Sequence, residues 1–134
     1  MRKTFLLLFV CFVTSSVQAQ ATENPPSPSP AKVEIGYASP AAALAALREK
    51  PGVKIREEND WYVANDPNEK AFWSITQPAH PAHPTAVKRV LVDGPGGIHL
   101  AMAVKCGASK SACDQVVFQF KQINESLGRS PKRQ

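Results

Sequence analysis

Most of the chemistry this chain could do rests on three histidines and three cysteines. His80 and His83 stand at i and i+3 in the run QPAHPAHPT, each followed by a proline. A His-x-x-His pair is a possible metal site, and the prolines would lower the entropic cost of ordering it, with His99 available as a third ligand. Stable zinc sites take three or four ligands, whereas Cu(II) accepts imidazoles in an oxidising compartment. The same bracketing by Pro78, Pro81 and Pro84 equally describes a stiff crossover between strands, with both histidines on its polar surface. His80 and His83 are therefore the metal-ligand candidates, and no cofactor is expected.

Of the cysteines, Cys11 falls inside an apolar N-terminal run, which leaves Cys106 and Cys113. Two cysteines in an exported chain are expected to form a disulfide, because the compartment is oxidising. The bridge would close the short loop GASKSA and pin a strand end to a helix start. A redox-active pair would show the tighter Cys-x-x-Cys spacing.

Signatures of catalysis are missing. The chain has no G-x-S-x-G elbow, no H-E-x-x-H and no paired-carboxylate pattern. Glu57, Glu58 and Asp60 cluster where a solvated turn explains them. GPGG at 94–97 is followed by a strand pattern, whereas a phosphate loop needs Lys-Ser or Lys-Thr opening a helix. No enzymatic activity is expected.

The elements that must position these residues follow from periodicity. Residues 1–21 read as a signal peptide, with Arg2 and Lys3 ahead of the apolar run Phe5 to Val13. That run is shorter than the ~20 residues a membrane span requires, and no later segment is apolar enough to be one. Residues 22–34 form a Pro/Ser-rich leader, residues 35–128 a single domain, and residues 129–134 a basic tail. The net charge of +5 sits largely at the chain ends, so the domain lacks the basic face that nucleic-acid binding requires.

Within the domain, Ser39-Pro40 opens a helix and Pro51-Gly52 stops it. Strands are expected over Val53 to Glu58, Trp61 to Ala64, Lys70 to Thr76, Val87 to Asp93 and Ile98 to Lys105, separated by turn residues. Ser109 or Ser111 caps a last helix whose apolar stripe runs Cys113, Val116, Val117, Phe120, Ile123, Leu127. Helix, five strands, helix gives an α+β fold: an antiparallel five-stranded meander with both helices on one face. Ile98, Leu100, Met102 and Val104 would then meet the last helix. The uncovered face would present Phe72, Ser74 and Thr76 beside Ala101, Ala103 and His99, with the loop of His80 and His83 as its rim. An antiparallel sheet tolerates a solvated face, so this surface reads either as plain exterior or as a docking face.

The run WSITQPAHPAHPTAVKRV, with REKPGV upstream and KCGASKSACDQ downstream, resembles a group of small uncharacterised exported bacterial proteins. The likeness extends over Ile35 to Leu127, and some members carry a molecular chaperone or J-protein label. A J domain acts through His-Pro-Asp in a helical hairpin. This chain instead has His80-Pro81-Ala82 and His83-Pro84-Thr85 between strands, so no catalytic residue carries over. The expectation is a periplasmic or secreted, non-enzymatic module that binds another protein or an envelope component. The alternative is a periplasmic metal-binding protein using His80 and His83.

Overall fold

A computed structural model describes residues 32–128. The signal peptide, the leader up to residue 31 and the basic tail lie outside the described residues. The order is α1 (Pro40–Glu49), β1 (Lys54–Glu58), β2 (Trp61–Asp66), β3 (Ala71–Thr76), β4 (Thr85–Gly94), β5 (Gly97–Cys106) and α2 (Lys110–Gly128). The five strands pair antiparallel in sequence order. This is the α+β meander expected from the sequence.

Local chemistry accounts for most boundaries. The Ser39 hydroxyl accepts the Ala42 amide at 3.1 Å, with Pro40 at the first helical position, where its missing N–H costs nothing. Asn59 and Asp60 both take positive φ, +47° and +63°, which suits a two-residue hairpin turn. The Ser109 hydroxyl accepts the Ala112 amide at 3.3 Å and caps α2. Ser111 lies inside the helix, and Asp114 pairs with Lys110. Cys106 and Cys113 are disulfide-bonded with Cα atoms 5.8 Å apart, tying the end of β5 to the start of α2.

The two helices do not share a face. Ala43 and Leu47 of α1 pack on Ala64, Ala71, Trp73, Ile75 and Ala86. Val116 and Phe120 of α2 pack on Trp61 and Val87, flanked by Val63, Met102 and Val104. Ser74 pairs with Val87 and Val87 with Val104, so these three share one side while neighbouring Trp73 points to the other. The meander is thus covered on both sides. β3 shows why: Ala71, Trp73 and Ile75 are buried on one side, Ser74 and Thr76 on the other.

A polar cluster closes the α1 side. The Asp66 carboxylate, with no exposed surface, takes an ion pair from Lys50 and accepts the amides of Asn68 (3.0 Å) and Glu69 (3.3 Å). Glu69 bridges Lys50 and Lys88, and the Lys88 ammonium lies 5.2 Å from the centre of the Trp73 ring.

Candidate functional site

The loop from Gln77 to Pro84 is held by hydrogen bonds within itself and, at Gln77, His83 and Pro84, to the strands around it. Gln77 donates its amide to Asp60 O at 2.8 Å. His80 N–H reaches Gln77 O at 3.0 Å and His83 N–H reaches His80 O at 2.9 Å, giving two consecutive turns. Ala82 is buried in the α2-side core. Thr85 donates its amide to Thr76 Oγ1 at 2.8 Å and its hydroxyl to Ala82 O.

The two imidazoles of this loop serve different partners. His80 Nδ1 accepts the Ala82 amide at 3.0 Å, and its ring meets Trp61 edge-on with centroids 4.5 Å apart. His83 Nδ1 lies 3.2 Å from Thr76 O. The same nitrogen lies 3.3 Å from Thr76 Oγ1, and a bond to the carbonyl, which only accepts, requires the tautomer with the proton on Nδ1. His80 faces the α2 side with Trp61, and His83 borders a recess formed with Pro40, Leu44 and Arg48 of α1. His99 stands far along the sheet, opposite Val92 near the β4–β5 turn. Among the described residues no three His, Cys, Asp or Glu side chains gather as a metal site.

The open face expected from the sequence is not assembled. Ser74 and Thr76 are buried, and Phe72 is half-buried on the same side. Ala101, Ala103 and His99 project to the opposite side, because Lys88 pairs with Ala103 and lies beside Trp73. Alternation along each strand was read correctly, but its phase relative to β3 depends on pairing across β4.

The exposed feature the sequence reading did not single out is the outer edge of β5. Gly107 donates to Pro84 O at 2.8 Å, which continues the β4–β5 ladder and sets its phase. Counting by twos, Gly97, His99, Ala101, Ala103 and Lys105 turn their backbone groups toward β4. Those of Ile98, Leu100, Met102 and Val104 face outward. Between this edge at residues 101–105 and the arm Lys32–Tyr37 runs an open groove of about 790 Å³. The arm is anchored by buried Ile35 and by Tyr37, which packs 5.8 Å from Trp73, ring to ring. Its hydrogen bond to β5 comes from Lys105 Nζ to Tyr37 O at 3.3 Å. The other edge, β1, is a five-residue strand, KIREE, whose charges blunt pairing. β5 has ten residues, GIHLAMAVKC, and Lys105 is its one Lys, Arg, Asp or Glu. Ile98 is 71% exposed and lines a separate recess with Leu91 and Leu127, both also exposed.

No family model, no curated protein and no solved structure matches this chain. Among the described residues no helix is long and apolar enough to cross a membrane.

Proposed function

We propose that this domain is a non-enzymatic binding module of an oxidising, extracytoplasmic compartment that takes up an extended polypeptide segment of another protein along the free edge of β5. The observation that carries this reading is the ten-residue strand β5, outward-facing at Ile98, Leu100, Met102 and Val104, beside a groove roofed by the arm Lys32–Tyr37. A row of amides and carbonyls at strand spacing, unpaired among the described residues, is best satisfied by another extended backbone. Residues 101–105 offer a seat of roughly 17 Å at ~3.4 Å per residue. On the β5 side the wall is small and apolar at Ala101 and Ala103, while Lys32, Glu34 and Lys105 add charge elsewhere in the lining, so the incoming strand should carry apolar side chains where it faces Ala101 and Ala103. The Cys106–Cys113 bridge supports an oxidising location.

The test is selection from displayed random peptides, followed by amide hydrogen exchange. Bound peptides are expected to protect the amides of Leu100, Met102 and Val104, and Ala101→Lys, which puts a long charged side chain on the small β5 wall of the groove, should abolish capture. Peptides that protect the α2 side instead, or a selection that enriches nothing, would overturn the reading.

A further inference from the structure

Behind α2 lies a second recess, of about 330 Å³, on the side of the sheet opposite α1. That volume falls within the range of small-molecule sites. Its wall includes Ser74, Arg89, Trp61, Val63, Phe120 and Gln119. One of these polar groups, Arg89 Nε, is fully buried without a hydrogen-bond partner among the described residues, and the Ser74 hydroxyl beside it is left free to bond a ligand. Ser74 is 5% exposed, and its hydroxyl has no hydrogen-bond partner among the described residues. The half-buried Arg89 guanidinium lies 5.2 Å from the centre of the Phe120 ring and 6.0 Å from that of Phe72. Its hydrogen bond among the described residues runs from NH1 to Asn124 Oδ1 at 3.5 Å, and Nε has none. Burial lowers the Arg89 pKa from its ordinary value, so the cation bears a desolvation cost that no described carboxylate offsets. At the rim, Glu58 is held by Arg56 at 3.1 Å, which occupies the acid nearest the mouth.

We propose that this recess binds a small carboxylic acid, its carboxylate on Arg89 and Ser74 and its apolar body against Trp61, Val63 and Phe120. The guanidinium presents paired N–H donors in the geometry a carboxylate accepts, and a hydroxyl beside it supplies a further donor. Two aromatic rings flank the guanidinium, which limits the side-chain freedom to be lost on binding. Trp61, Val63, Phe120 and Ile123 give the wall an apolar side, with Arg56, Glu58, Asn59 and Gln119 completing it, and that apolar side favours an acid with a hydrocarbon portion over a bare inorganic anion.

Trp61 lines the recess while Trp73 lies on the other side of the sheet, so Trp61 fluorescence reports occupancy. The probes are 3-phenylpropionate, hexanoate and the neutral 3-phenylpropanamide. Saturable quenching or enhancement is expected for the acids, with the amide weaker by about tenfold or more because it forfeits the charge-assisted bonds. Ser74→Ala should weaken the acids several-fold while leaving the melting temperature in place, since that hydroxyl has no hydrogen-bond partner among the described residues. Arg89→Gln, which removes both the charge and the fork, should bring the acids down to the amide's affinity. Equal binding of acid and amide, unchanged affinity in both variants, or no saturation by either acid up to about 10 mM would overturn the proposal.

Discussion

Lys50, which caps α1, and Asp66, at the end of β2, form an ion pair in which the carboxylate has no solvent-exposed surface while the lysine side chain keeps 24% of its own. Removing one partner of a buried pair strands the other, at a cost of 3–5 kcal/mol in typical cases. Asp66 also holds the amides of Asn68 and Glu69. Asp66→Ala is therefore expected to destabilise the domain by about 3 kcal/mol, toward the low end because Lys50 can turn to water. Urea denaturation checks this, and a loss below about 1 kcal/mol would show that the pair behaves as a surface contact.

The neighbouring Glu69 sets an acid dependence. Its hydrogen bonds from Lys50 and then Lys88 hold its carboxyl below the usual range. A carboxylate depressed in the folded state contributes stability above its unfolded value, here 4.5, and loses it as pH falls through the folded value. The wild type should therefore exceed Glu69→Gln in stability at neutral pH, with the gap closing below about pH 4. A gap that stays constant into acid would assign the effect to something other than this ionisation.

Phe120 joins α2 to the sheet. It is buried, and its ring meets Trp61 edge to face with centroids 5.4 Å apart. Phe120→Ala should cost roughly 3–5 kcal/mol, the range for a truncated buried aromatic. A denaturation midpoint that barely moves would mean that α2 is dispensable as a cover.

The Cys106–Cys113 bridge spans seven positions of sequence. Loop-closure entropy for so short a ring predicts a loss of about 2–3 kcal/mol when both cysteines become alanine. Protein recovered from an oxidising compartment should gain no alkyl groups at these positions until it is reduced. Intact mass measures this directly, and two alkylated thiols without reductant would disprove the bridge.

Much of this fold is legible in the chain itself. Ser39-Pro40, Asn59-Asp60 and Gly94-Pro95-Gly96-Gly97 mark boundaries through local backbone chemistry, so no distant contact is needed to read them. Alternation in Ile98–Lys105 and the stripe through Phe120 report their periods just as locally, and the Cys106–Cys113 spacing suits a short bridge. What only the tertiary structure decided is which side each element covers. A period-two pattern shows that a strand has two sides but not which helix reaches which, because that depends on pairing phase across four strand contacts and on the path of the chain between layers. Hence Ser74 lies on the side covered by α2 while Ala101 and Ala103 face away from it, and Thr76 is buried against the His83–Thr85 segment. The same long-range registration leaves the β5 edge open and turns Arg89 inward. Arg89 shares the phase of Val87 and Leu91, a charge on a covered side, and that was a signal present in the sequence. It became readable only once α2 was known to lie over it.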